Sequence, residues 1–193
     1  MAITGASGSI YAVGLLKAVS AFYDHIYLVI SRNADLVMRN ELSADIYDSS
    51  LNLGVIQPDG RDRIEICRPD DICASPSSGS VLTDGMVIVP CSMGTMGRIA
   101  SGISDDLITR AADVCLKERR KLILAVRETP LNLVHLRNMT VLAEAGAIIL
   151  PASPGFYHNP ETIDDLVAFV VARIMQQLGL DQHLVDEWGN DPR

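Results

Sequence analysis

Apolar residues follow two rhythms along the chain, short continuous runs and spaced arcs, and the two alternate. Met86 to Val89, stopped by Pro90, and Leu122 to Val126 are continuous runs. Runs of this length suit strands covered on both faces, as in a parallel sheet between helices. His25 to Ile30 and Ala147 to Leu150, the latter closed by Pro151, repeat the signal, and Ile64 to Cys67 gives a weaker one. The arcs fall between them. Val13, Leu15, Leu16 and Val19 make a broad apolar face on a helix from roughly Ile10 to Phe22, with Lys17 off it. Further helices are expected at about Asn33 to Glu41, once between the two long runs, at Leu131 to Ala145, and at about Glu161 to Leu178. This alternation predicts an α/β, three-layer, Rossmann-like domain with a mostly parallel sheet. No repeat or linker interrupts it, so one domain is expected over residues 1–193, with a tail from about 179 to 193.

In such sheets, ligands bind beyond the carboxyl ends of the strands. Those ends carry small and polar residues here. Gly5-Ala6-Ser7-Gly8 links the first strand to the first helix. Strand, small-residue turn and helix start form an arrangement that holds phosphate on free N–H groups and the positive helix end. It also fits an ordinary βα turn. It is not the dinucleotide pattern, so a mononucleotide suits it better. Ser31 follows the second strand and reads as a ligand contact or a helix cap. Cys91-Ser92-Met93-Gly94-Thr95 is read as a loop after the Met86 run, and Arg127-Glu128 ends the next strand. Glu128 reads as a general acid or base, or as the counter-ion of Arg127. Only Met1 to Thr4 precedes the first glycine, against the usual 5–6 residues. Whether that strand is short or begins before Met1 is open.

Arg110 and Lys117 share a helical face, with Asp113 between them. They fit a solvated ion-pair ladder or a cationic face aimed at phosphate. Ser43 to Asp84 is the least regular stretch and holds Ser77-Ser78-Gly79-Ser80. A polar, small-residue loop beside a regular domain is often functional. His25 opens a strand at the opposite edge and is read as structural.

The net charge of −8 argues against a general nucleic-acid binder, though a local cationic pocket remains compatible with it. Four cysteines without CxxC or Cys/His zinc spacing suggest a reduced, cytoplasmic protein. No run reaches the roughly 20 apolar residues of a membrane span, and no signal peptide is expected. The paired aspartates lack the DDxxD spacing that holds magnesium on a diphosphate, His135 and His158 have no partner at ligand spacing, and GxSxG is absent. No metal is expected.

Five blocks together resemble the UbiX-type flavin prenyltransferases, some of which have been named phenylacrylic or aromatic acid decarboxylases. They are GASG, SSGS at 77–80, PCSMGT at 90–95, LITRAADVCLKERRKLILAVRETP at 107–130, and PASPGFYHNPETIDDLVAFVVARI at 151–174. The likeness runs from Ala2 to Trp188 and is weakest over Ser43 to Pro76. It implies a flavodoxin-like fold, a homododecamer with sites between subunits, and no metal. The implied reaction moves a dimethylallyl group from dimethylallyl monophosphate to reduced FMN. Flavin N5 attacks the allylic carbon, phosphate leaves, and a bond to C6 closes a fourth ring. The product serves UbiD-type decarboxylases. By the same resemblance, FMN contacts fall on Gly5, Ala6, Ser7, Ser31, Ser92, Met93, Gly94, Thr95 and Arg127. The prenyl phosphate falls to Lys117, Tyr157 and Arg173, with Ser78 and Arg110 nearby. Ser7, Glu41 and Glu128 match positions of proton handling or of stabilising the intermediate, and Trp188 matches a wall of the prenyl site. Two alternatives stand beside this: an FMN-dependent decarboxylase of the same fold, and a carrier that binds FMN without chemistry.

Overall fold

The apolar runs become strands and the arcs become helices in the computed structural model, which describes residues 1–42 and 63–186. In chain order these are β1 (Ala2–Ile3), α1 (Ser9–Val19), β2 (Ile26–Ile30), α2 (Arg32–Glu41), β3 (Ile64–Cys67), a 3-10 turn (Ser75–Ser77), β4 (Gly85–Cys91), α3 (Met93–Ala100), α4 (Leu107–Lys117), β5 (Lys121–Val126), α5 (Leu133–Glu144), β6 (Ile148–Pro151) and α6 (Ile163–Leu178). The six strands form one sheet in the order β3-β2-β1-β4-β5-β6, every pairing parallel.

Strand alternation divides the core in two. Val87, Val89, Ile123 and Ala125 point to the layer of α1, α2 and α6. Met86, Ile88, Leu122 and Leu124 point to the layer of α3, α4 and α5. A strand covered on both faces has no polar side, which is why β4 and β5 read as continuous apolar runs.

Three expectations need correction. Pro90 does not stop β4, which runs on to Cys91. A proline cannot donate to the ladder, and the pairing with β5 shifts register between Ile88 and Cys91. The Pro90 carbonyl still serves the sheet, accepting from the Thr4 backbone N–H at 3.3 Å and Thr4 Oγ1 at 2.7 Å. Residues 93–95 are not a loop: Ser92 caps α3, accepting from Thr95 N at 3.3 Å. The single helix expected between the long runs is two, α3 and α4, because Asp106 opens a new capping box with Thr109.

β1 is short. Ala2 pairs with Val29 and Ile88, and Ile3 with Ile30. Below Ala2 the edges of β2 and β4 face each other across a cleft of about 610 Å³, bordered by Tyr27, Met86, Val87, Cys115 and Leu178 among others. That cleft lies at the amino edge of the sheet, away from the strand ends that carry the candidate chemistry.

Candidate functional site

The strand order reverses between β1 and β4, the place where open α/β sheets take their ligands. Four loops meet there, after β2, β1, β4 and β5 in sheet order. Thr4 ties the central two. Its hydroxyl donates to Pro90 O at 2.7 Å and accepts from Ser92 N at 2.8 Å. Thr4 is buried, so the latch joins the β1 and β4 loops below the surface that faces a ligand.

The Gly5–Gly8 turn holds an anion, but one from the chain itself. Gly8 has φ 109° and gives α1 no side-chain cap. Glu41, at the end of α2, supplies one instead. Its carboxylate accepts from Gly8 N at 2.9 and 3.1 Å and from Ser9 N at 2.8 Å. Burial pushes this carboxyl up, but hydrogen bonds from Ser7, Ser9 and Gly8 outweigh it and hold its pKa below the usual value. Of the two readings of this turn, a phosphate cradle or an ordinary βα turn, the first would bring a phosphate against a carboxylate. Another helix N-terminus at the same edge, that of α3, has room in front of it. Met93 and Gly94 open that helix, and their N–H groups precede the first intrahelical bonds. A Cβ placed on Gly94 would have no atom within 4 Å, so the approach is open. Ser31 caps α2, accepting from Ala34 N at 3.1 Å, in the cap role allowed for it from sequence.

Gly5 sits against α2; a Cβ there would come within 2.6 Å of Asn33 Cβ. Arg127 reaches across to the β1 loop, where its Nε donates to Ser7 O at 2.9 Å. Glu128 is not its counter-ion in any contact among the described residues; Glu128 Oε1 accepts from Thr129 N at 2.9 Å. Tyr11 packs under Gly8, and burial raises its phenol pKa while Arg127 draws it back. Gly5, Ala6, Ser7, Ser31, Glu41, Ser92, Met93, Gly94, Thr95, Arg127 and Glu128 therefore gather on one edge.

The expected phosphate ligands divide into two groups. The first lies along α4. Arg110 Nε donates to Ser77 O at 3.1 Å, and its Nη1 pairs with Asp113 Oδ2 at 2.9 Å. Arg120 donates to Gly79 O at 2.6 Å and Val81 O at 2.7 Å. These two arginines pin the Ser77–Ser80 loop to the helix. Lys117 pairs with Glu118 beneath that loop, and a Cβ on Gly79 would come within 2.7 Å of Lys117 Nζ. Lys117 ends α4 just before β5 begins, so it sits at the amino edge.

The second group lies on the other layer. Tyr157 follows β6 and meets Phe169 edge-on at 5.7 Å. Arg173 of α6 donates to Gln176 Oε1 at 2.7 Å. Both line a cleft of about 220 Å³ with Ala172, Gln182 and Asp186. Trp188 lies outside the described residues. Within one chain, Lys117 and Arg173 are on opposite faces of the sheet.

Thr4, Tyr11, Asn33 and Arg120 were not anticipated. Thr4 carries a faint signal, a polar residue ending a buried strand just before a glycine turn. Arg120 carries none, because its partners are backbone carbonyls.

A parallel sheet whose switch-point edge offers an open helix start, a caged carboxylate and a strand-end arginine defines an α/β protein shaped for a mononucleotide. Donors, an open approach and a cation suit an aromatic phosphate such as FMN. The chain belongs to the flavoprotein family, whose model matches residues 1–175. It is 48% identical over 186 residues to a flavin prenyltransferase UbiX of Thermoplasma acidophilum, covering 96% of this chain and 97% of that one. A solved structure of AnUbiX (PadA1) in complex with FMN and dimethylallyl pyrophosphate superposes with a TM-score of 0.86 at 38% identity, covering 98% of this chain and 95% of the other. A dodecameric FMN-dependent UbiX-like decarboxylase from Escherichia coli O157:H7 superposes at 0.85 and 40% identity, covering 98% and 97%.

Proposed function

We propose that this protein is a flavin prenyltransferase that joins a dimethylallyl group to reduced FMN, at N5 and C6, with release of phosphate. The observation that carries it is the switch-point edge: Ser7–Glu41, Ser92–Thr95 and Arg127–Glu128 meet there around an open helix start. The similarity to UbiX enzymes over nearly the whole chain points the same way. FMN is the acceptor substrate, and the bond broken is the allylic C–O bond of the donor.

Each group has a task set by its chemistry. The N–H groups of Met93 and Gly94, with Ser92 and Ser31, hold the FMN phosphate, since α1's start is already taken by Glu41. Gly5, Ala6 and Ser7 present backbone to the flavin. Arg127, fixed by its bond to Ser7 O, would bring its cation to the flavin. Ser7 and Glu41 form a hydrogen-bonded pair able to pass a proton at the flavin. Glu128, next to Arg127 in the chain, is a second carboxylate for the proton lost when C6 bonds. Lys117, Arg173 and Tyr157 stabilise the departing phosphate; fixed cations and donors aimed at developing charge do this without a metal. Since Lys117 and Arg173 lie on opposite faces, one site takes them from different copies. The chain thus works as a homo-oligomer, as its dodecameric relative does. The product passes to a UbiD-type decarboxylase. No helix among the described residues is long and apolar enough to cross a membrane.

The test is a mass spectrum of the flavin after incubation with FMN, a reductant and dimethylallyl monophosphate or diphosphate. A flavin heavier by one prenyl group supports the enzyme. Unmodified FMN with both donors would sink the prenyltransferase reading and favour a carrier.

A further inference from the structure

Arg120 follows α4 at a reversal of the chain. Arg119 takes φ 55°, and Arg120 N donates back to Cys115 O at 2.8 Å. The Arg120 side chain then gives its donors to one loop. Nη2 reaches Gly79 O at 2.6 Å, and Nη1 reaches Val81 O at 2.7 Å and Thr83 Oγ1 at 3.3 Å. A planar guanidinium fork can hold several oxygens at once, which an ammonium does less well. All three acceptors are neutral. The ion pairs nearby join Arg110 to Asp113 and Lys117 to Glu118, and no carboxylate pairs with Arg120 among the described residues. Its charge is still felt there: Lys117 first, and Arg120 after it, hold the Glu118 carboxyl below its usual pKa.

The loop that Arg120 holds rests on Lys117. A Cβ on Gly79 would come within 2.7 Å of Lys117 Nζ and 3.0 Å of Glu118 Cδ. Only a glycine lets the backbone come down this far, and the carbonyl that Arg120 grips belongs to that glycine. On either side of it, Ser78 and Ser80 share a hydroxyl hydrogen bond at 2.8 Å, and Ser80 is exposed.

We propose that Arg120 is a positioning residue for the donor's phosphate. It does not touch the donor. Its bond to Gly79 O sets the height of the Ser78–Ser80 loop over Lys117, and so fixes the loop hydroxyls and the ammonium as one anion-binding surface. Its own unpaired charge favours an anion in front of that loop. The inference rests on the role given above to Lys117 at the departing phosphate and goes further, by naming the residue that holds this surface in place.

The test is calorimetric binding of dimethylallyl monophosphate to wild type, Arg120→Lys and Arg120→Gln, each loaded with oxidised FMN so that binding is read without turnover. Steady-state prenyl transfer with reduced FMN is measured alongside. Donor binding should weaken about tenfold in Arg120→Gln and by less in Arg120→Lys, which keeps the charge but not the fork. The loss should fall on KM for the donor, with kcat and FMN affinity unchanged. The lysine variant guards against the glutamine variant failing to fold. Wild-type donor affinity in every variant that folds, or an equal fall in FMN affinity, would overturn the inference. Prenyl transfer separates it from the activity. A wild type that binds the donor yet leaves FMN unmodified would sink the prenyltransferase reading, while weaker donor binding by the variants would still support Arg120. Variants that bind the donor as wild type does, beside a wild type that prenylates FMN, would do the reverse.

Discussion

The carboxyl edge of the sheet and the two cationic groups follow opposite plans. The edge is finished within one chain. Thr4 latches two loops, Glu41 caps α1 from the neighbouring helix, and Arg127 is held on Ser7 O. The cations are individually well placed but dispersed, Lys117 under the Ser77–Ser80 loop at one edge and Arg173 across the sheet on α6. On the function proposed above, the flavin contacts gather within one chain, while the phosphate ligands would have to be brought together by assembly. An acceptor that must be held still suits a site built into the fold. A leaving phosphate that must be surrounded by several positive charges suits a site closed by association, because one chain would have to pay the mutual repulsion of those charges during folding.

Perturbing each region should separate these roles. The largest effect is expected from Glu128→Gln, which keeps shape and removes the proton acceptor. Prenyl transfer should fall about 10²–10⁴-fold with FMN affinity unchanged, read by single-turnover kinetics beside a flavin titration. Equal loss of binding would move Glu128 to the flavin-holding set. Next is Thr4→Val. It leaves Pro90 O and Ser92 N without their side-chain partner in a buried place, at a cost of about 1–3 kcal/mol. Urea melts should show that loss, and FMN should bind more weakly because the β1 and β4 loops separate. An unchanged flavin affinity would show the latch to be structural only.

The smallest effect is in pH. The Glu41 carboxyl is held below its usual pKa in the folded chain. Its stabilisation is therefore complete above the unfolded carboxyl value of 4.5, and is lost as pH falls through the lower folded value. Glu41→Gln should flatten that acid limb in urea melts from pH 6 to pH 3, about the range a shifted carboxylate spans. An identical limb in the variant would mean the α1 cap contributes nothing.

Much of this was legible in the chain. Continuous apolar runs gave β4 and β5, because a doubly covered strand has no polar face to hide the pattern. The residues at strand ends gave the flavin edge, because parallel topology sends those ends to one side. What failed did so for local reasons. Pro90 looked like a terminator, yet the ladder shifts register past it and its carbonyl still accepts from Thr4. SMGT looked like a loop, yet Ser92 makes it a helix start. GASG could be read as a phosphate cradle or an ordinary βα turn, and only the fold shows that Glu41, thirty-odd residues later, already caps it. The split of the phosphate ligands was not readable from spacing at all, since Arg110 and Lys117 share a helix while Arg173 reaches the other layer through the sheet's winding.

The shared site is tested most directly by mixing two inactive proteins. Lys117→Ala removes the α4 cation and Arg173→Ala the α6 cation, and each alone should lose prenyl transfer about 10²–10³-fold. If each site draws the two residues from different copies, dissociating, mixing and reassembling them should restore about one quarter of the sites to the full pair. Activity should return in the mixture and in neither parent. A reassembled mixture of correct mass that stays as inactive as its parents would contradict the account.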